Sequence, residues 1–365
     1  MAASDMIPIF DGHNDTLTRI RRDNGRETRE ERRDFLERSR AGHLDLPRAR
    51  DGGLAGGFFA IFSASPDWSY ATGPLLDEAG VVVEDGWSVP LAPKLARPAA
   101  HRWTLSVMSD LFRLAERARG ELMVVRTANE LSRCIEQGTF AVVLHIEGAE
   151  AIDTRLRTLD VLHEAGLRSL GPVWSRPNAF GHGVPFDFPR HPDTGPGLTP
   201  AGRRLVKRCN ELGIMVDLSH LNERGFWDVA KTSDAPLVAT HANAHALCPS
   251  PRNLTDAQLD VIALSEGVVG LNYAVGFLRE DGRPDATTPL TEIARHARYI
   301  ADLIGIDHVA LGSDFDGALI PEELGDAAGL QRLLHVLRAA GFDEGDLHKI
   351  AYGNWIRVLR TTWGP

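Results

Sequence analysis

The chain has 365 residues, 43% apolar and 25% charged, enough to bury the core of one large domain or of two average ones. A formal net charge of -10 and a pI near 5.8 argue against nucleic-acid binding, which needs a concentrated basic surface. No run of 18 uninterrupted apolar residues occurs, and three scattered cysteines, Cys134, Cys209 and Cys248, are too few for a disulfide framework or a cysteine metal site. With a candidate ligand already at position 13 there is no room for a removable signal sequence, so the cytoplasm is the expected location.

The first predicted strand, "IPIFDGH", leads into "DGHNDTL". Residues two apart on a strand point the same way, so His13 and Asp15 would face one point that could hold a metal, although a surface His and Asp beside a turn would read the same. The next segment, "TRIRRDNGRETREERRDFLERSRAGH", is basic but carries acids throughout, which predicts a salt-bridged exposed helix and not a polyanion site. It closes on "GHLDLP", where His43 and Asp45 repeat the H-x-D spacing before a Pro and read as a helix-terminal loop contact. "GLAGGFFAIFSA" is the second strand, and residues 65–98, rich in Pro, Asp and Trp, are an expected insertion.

The third main strand, "TFAVVLHIEG", ends on Glu147, with His145 one pleat deeper in an expected supporting role. After the helical "LRTLDVLHEAG" comes the fourth strand, "LRSLGPVWS", and then residues 175–197, "SRPNAFGHGVPFDFPRHPDTGPG". That stretch is too full of Pro and Gly for regular structure and is expected to lie over the mouth of the fold. The helical "TPAGRRLVKRCNELG" precedes "IMVDLSH", which ends on His220, and "PLVATHA" places His241 at the end of the sixth strand, with His245 read as structural. "VVGLNYA" and "HVALGSDF" complete the set, the last placing Asp314 at its end, while "NLTDAQLDVIALSEG" and "PLTEIARHARYIADLIG" supply further helices with Thr or Asn near their starts and Gly at their ends.

Eight strands alternating with helices predict a single (β/α)8 TIM-type barrel over residues 1–365, with insertions at 65–98 and 175–197. The absence of G-x-G-x-x-G after the first strand weighs against an open dinucleotide-binding sheet. In a barrel the strand ends converge on one rim, which would gather His13, Asp15, Glu147, His220 and His241. Three imidazoles and two carboxylates suit one or two Zn²⁺-like ions, and a bridging carboxylate would let two ions sit about 3.5 Å apart. Taken singly, His220 could be a capping residue and "GSDFDG" an Asp-rich turn; their joint position at strand ends favours the metal.

In the order "DGHND", "IEG", "DLSH", "TH", "RNLTD" and "GSDFDG" the sequence resembles the membrane (renal-type) dipeptidases, peptidase family M19 of the amidohydrolase superfamily, from Asp11 to "YGNWIRV". The resemblance implies two Zn²⁺ ions, with Mn²⁺ or Co²⁺ as substitutes: His13, Asp15 and Glu147 around one, and Glu147, His220 and His241 around the other. It also implies a dipeptide substrate gripped at its carboxylate by Arg252, attack by a metal-bridging hydroxide, and Asp314 as the proton-transfer group. A homodimer is the expected assembly, and neither nucleic acid nor membrane is an expected partner.

One position departs from the family. Where it has a histidine that helps bind the substrate carbonyl, this chain has Trp174, whose indole N–H donates a hydrogen bond but carries no charge. Either Arg176 or His182 takes over, His182 favoured because Gly181 and Gly183 free its backbone, or the oxyanion depends on the metal with Trp174 as its only other partner. The competing functions are hydrolysis of another amide or ester, a TatD-like nuclease, and metal binding without catalysis. The nuclease group opens with H-x-H and needs basic surface, and a non-catalytic protein has no use for Asp314 and Arg252.

Overall fold

The computed structural model describes residues 6–24, 33–64, 81–83, 86–89 and 91–364. All eight expected strands form: β1 Ile9–Asn14, β2 Leu54–Phe62, β3 Phe140–Glu147, β4 Leu167–Gly171, β5 Met215–Val216, β6 Val238–Ala239, β7 Val268–Asn272 and β8 Val309–Gly312. β1 to β5 pair in order as one parallel run, and β6 to β8 as a second. Two single-residue parallel bridges join the runs, Asp217 to Val238 and Asn14 to Phe315, backed by Leu218 N–H donating to Val238 O and Asp15 N–H to Phe315 O, both at 2.8 Å. The ring of strands closes into a (β/α)8 barrel.

The strands read as near-continuous apolar runs because both faces are covered. Every residue of β3 is buried; Leu144 and Ile146 pack in the layer beneath the helices, Val143 in the barrel floor. That floor is built from Phe10, Phe58, Met215, Val238, Val268, Ala310 and the fully buried Trp355, whose indole donates to Leu311 O at 3.1 Å. Around this floor the backbone must come close: a Cβ on Gly12 would lie 2.4 Å from Thr240 O and 2.5 Å from the Trp355 ring. Helix Pro200–Leu212 illustrates the local rules, with Thr199 Oγ1 capping its start and Gly213, at φ 64°, closing its end.

Three features differ from expectation. Residues 175–197 do contain regular structure: Phe186–Phe188 pairs antiparallel with Gly86–Val89, which pairs with Val81–Val83, so the two expected insertions meet in one small sheet. The alternation in "PFDFP" fits it: Phe186 and Phe188 join one aromatic cluster, and Asp187 between them, also buried, accepts from Ser88 Oγ and Arg190. Residues 65–80, 84–85 and 90 of the first insertion lie outside the described residues. Among the described residues the charged segment forms a helix over Thr16–Asn24 and turns over 33–43, in which Arg33 and Phe35 are buried; residues 25–32 lie outside the described residues. Leu122–Val124 is a short parallel strand on β3 that periodicity did not signal. Among the described residues no helix is long and apolar enough to cross a membrane.

Candidate metal centre

The pairing of β1 with β2 shifts register between Asp11 and Asn14. Strict alternation would turn His13 to the face of Ile9, outward under the helices; the irregularity lets both Gly12 and His13 meet groups inside the barrel. Asp15 follows β1, Glu147 ends β3, and His220, His241 and Asp314 lie just beyond β5, β6 and β8. His220 and Asp314 hold left-handed backbone, at φ 67° and 60°, an uncommon conformation for residues with a Cβ and one that clusters at functional sites.

These side chains converge. Glu147 Oε1 lies 2.9 Å from His220 Nε2, 3.6 Å from His241 Nε2 and 3.7 Å from His13 Nε2, and His13 Nε2 lies 3.5 Å from Asp15 Oδ2. The rings of His13 and His241 stack at 3.8 Å, and the Nε2 atoms of His220 and His241 face each other at 3.2 Å. Ligand-capable atoms gather in overlapping groups, among them Glu147–His220–His241 and His13–Asp15–Asp314. Both ring nitrogens of His13 and Oδ1 of Asp15 are buried without a hydrogen-bond partner, and a buried polar group left so is costly. A divalent cation satisfies such a set, so the residues present fit one.

Supporting contacts fix the imidazoles with Nε2 inward. Ser175 Oγ sits 2.8 Å from His220 Nδ1 and Thr240 Oγ1 2.8 Å from His241 Nδ1. Thr240 in turn donates to Asp217 Oδ2 at 2.6 Å, and Asp217 Oδ1 accepts from the backbone of Ser219 and Thr240. Asn272 Nδ2 donates to Asp314 Oδ2 at 3.1 Å. Sequence reasoning did not single out these four residues; the signal available was polar residues beside the candidate ligands, in "VDLSH", "VATH" and "VWSR", and at the end of the apolar β7. His145 bonds Ser169 Oγ at 2.8 Å under His13, in keeping with a supporting role, and His245 lies apart, against Arg190 O and the His191 ring.

Electrostatics sort the donors. Burial, then the charges of Arg252 and His13, drives His220 well below the usual histidine range; for His241 burial, His13 and Arg252 do the same, so both imidazoles stay neutral and free to ligate. For His13 burial pulls down, but Glu147, Asp15 and Asp314 outweigh it and raise the ring to about 10, so His13 would ligate by exchanging its proton for a cation that these same carboxylates attract. Burial lifts Glu147 well above the carboxylate range, against His13, and lifts Asp314 as well, helped by Asp15.

The centre opens into a cavity lined by Asp15, Glu147, His220, Asp314, Arg252 and several aromatic rings including Trp174. Arg252 is buried, donates to His241 O at 3.3 Å and lies over the Phe277 ring. The two residues expected to replace the family histidine do not reach this space. Arg176 is absent from the lining; its Nε donates to Glu150 Oε1 at 2.8 Å and its Nη2 to Ser63 O. His182 is absent from the lining as well and turns its Nδ1 to Gly197 O at 3.3 Å, while Gly183 beside it packs flush on Trp174 O.

His43 and Asp45 are also apart from the donors. Asp45 caps helix Leu46–Asp51, and His43 and Asp316 exchange hydrogen bonds through His43 N–H and Asp316 N–H. Asp316, which does line the cavity, is gripped by both Nη atoms of buried Arg33, at 3.1 and 3.3 Å. Burial would raise the Asp316 carboxyl, yet Arg33 and then His43 hold it below the usual carboxylate range. A depressed pKa stabilises the fold above the unfolded value of about 3.9 and loses that contribution as pH falls through the folded one. Arg33→Met should cost about 3–5 kcal/mol at neutral pH, because it strands a buried carboxylate, and the deficit should shrink on acidification as Asp316 protonates. Urea unfolding of both proteins across that pH range is the check; equal midpoints at neutral pH would contradict it.

A (β/α)8 barrel with such donors at its C-terminal rim has the build of a metal-dependent hydrolase. The family model described as membrane dipeptidase, peptidase family M19, matches residues 2–363, and the chain belongs to that family. It is similar to the crystal structure of a metallopeptidase from Rhodobacter sphaeroides liganded with a phosphinate mimic of the dipeptide L-Ala-D-Ala, at 50% identity and a TM-score of 0.92 over 98% of this chain and 100% of that one. An uncharacterized protein in the pqqA 5′ region of Klebsiella pneumoniae is 53% identical over 256 residues, 70% of this chain and 94% of that protein. The dipeptidase tcpJ of Claviceps purpurea is 27% identical over 353 residues, 96% of this chain and 76% of that protein.

Proposed function

We propose that the protein is a binuclear metallo-dipeptidase that hydrolyses the peptide bond of short, uncapped dipeptides, L-Ala-D-Ala among them. The observation that carries this reading is the convergence of Glu147 Oε1 with three imidazole nitrogens, within 2.9–3.7 Å, in a cavity that Arg252 also lines. His13 and Asp15 would hold one ion, His220 and His241 the other, with Glu147 shared. Nitrogen and carboxylate donors favour Zn²⁺ and accept Mn²⁺ or Co²⁺. Bound divalent ions supply a Lewis acid for the scissile carbonyl and make water nucleophilic near neutral pH.

The remaining work falls to the chain's own groups. Arg252, a planar donor within a buried wall, is matched to the substrate's terminal carboxylate. Asp314, raised toward neutrality and oriented by Asn272, is suited to take a proton from the attacking water and return it to the departing amine. With Arg176 and His182 outside the cavity, Trp174 is the lining residue at the position of the family histidine, so developing charge on the carbonyl oxygen has no charged donor from this loop. The likeness to a peptidase liganded with an L-Ala-D-Ala mimic supports the substrate class. Hydrolysis of L-Ala-D-Ala and of L-Ala-L-Ala by protein of known metal content is the test; a metal-loaded protein that cleaves no dipeptide rejects the proposal.

A further inference from the structure

Among the described residues four aromatic side chains line the cavity and touch one another in sequence. Phe62 and Trp174 lie 4.6 Å apart between ring centroids, Trp174 and Phe186 5.4 Å, and Phe186 stacks nearly parallel on Phe277 at 6.3 Å. The two ends of this arc differ. The Arg252 guanidinium carbon sits 5.6 Å from the Phe277 ring, marking one end, whereas Phe62 ends the other. The middle faces the metal ligands: His220 lies 5.8 Å from Trp174 and 6.2 Å from Phe186.

On the dipeptidase reading, we infer that this arc selects substrates by side-chain size, with Trp174 and Phe62 forming the wall that meets the N-terminal residue. A dipeptide with its carboxylate at Arg252 and its scissile carbonyl beside His220 and Glu147 must lay its second residue along Phe277 and Phe186. Its first residue then points to Trp174 and Phe62. An indole fills far more of the cavity than a short side chain would, so the class admitted is dipeptides whose first residue is small.

Arg176 holds the wall in place. Fully buried and outside the cavity, its guanidinium lies 5.3 Å from the Phe62 ring and 5.5 Å from the Trp174 ring, while Glu150 and Ser63 O fix its position. Its effect on the substrate therefore passes through those two rings, which makes it a positioning residue.

The test measures kcat/KM for L-Ala-D-Ala, L-Leu-D-Ala and L-Phe-D-Ala, with metal content and thermal unfolding recorded for every protein. Wild type should prefer Ala over Phe at the first position, and Trp174→Ala should narrow that preference by at least about tenfold, the lower end of what one misfitting methylene costs. Trp174→Leu makes the same comparison should the alanine variant not fold. Arg176→Met should also narrow the ratio, Arg176→Lys less so, and both effects should shrink once Trp174 is alanine, because only the Phe62 ring then remains to carry them. An unchanged ratio in folded, metal-loaded Trp174 variants overturns the inference, and an Arg176 effect that persists undiminished without the indole overturns the positioning role. If metal-loaded wild type cleaves none of the three, the dipeptidase reading fails and the inference goes with it; cleavage with no dependence on residue 174 sinks the inference alone.

Discussion

Replacing Asp314 by asparagine is expected to lower kcat by about 10²–10⁴, or about 3–5 kcal/mol in the barrier, while leaving metal content intact. The side chain is buried beside the donors, with Oδ2 accepting from Asn272 Nδ2 at 3.1 Å. An asparagine can present its carbonyl oxygen to the same donor, so the fold and the geometry of Glu147, His220 and His241 have no reason to change. What it cannot do is accept and return a proton. Burial raises the native carboxyl, with Asp15 adding to the effect against His13 and Arg252, and that direction brings an acid closer to the pH at which it works as a proton carrier. Steady-state kinetics with metal analysis on the same sample decide the matter, and an Asp314→Asn variant within a few-fold of wild type would remove the assignment.

Arg252→Ala should raise KM steeply, costing about 2–5 kcal/mol in kcat/KM, the range for truncating one partner of a buried charged pair. Arg252 is only 4% exposed, so a substrate carboxylate reaching it leaves water and depends on the guanidinium for compensation. Amidating the dipeptide removes the same interaction from the other side, so wild type should discriminate strongly against the amide and the variant hardly at all. Equal discrimination by both proteins would place the carboxylate elsewhere.

The barrel was legible because its strands are short apolar runs at regular spacing, and the residues chosen as ligands were legible because each stands where such a run ends. His13 and Asp15 were paired by simple alternation, although the register shift between Asp11 and Asn14, which has no sequence signal, is what brings His13 to the interior. The supporting groups were not foreseen: Ser175, Thr240, Asp217 and Asn272 are common polar residues whose importance comes from partners far along the chain. Arg176 misled for a physical reason, since a cation next to Trp174 in sequence suggested a donor to substrate, whereas its pairing with Glu150 and its place behind two rings can be read only from the packed structure. His182 misled similarly: flanking glycines signal backbone freedom but not its direction. The short Phe186–Phe188 strand was masked by the prolines around it, its partner being Gly86–Val89 in the other insertion.

The most direct measurement is a titration of metal-free protein with Zn²⁺, following bound metal and L-Ala-D-Ala hydrolysis together, for wild type and for Glu147→Gln. The account predicts no hydrolysis without metal, activity that rises to a plateau near two ions per chain in wild type, and a variant that binds fewer ions and stays nearly inactive. Hydrolysis by the metal-free protein, or full activity in Glu147→Gln, would contradict a shared carboxylate at the heart of the site.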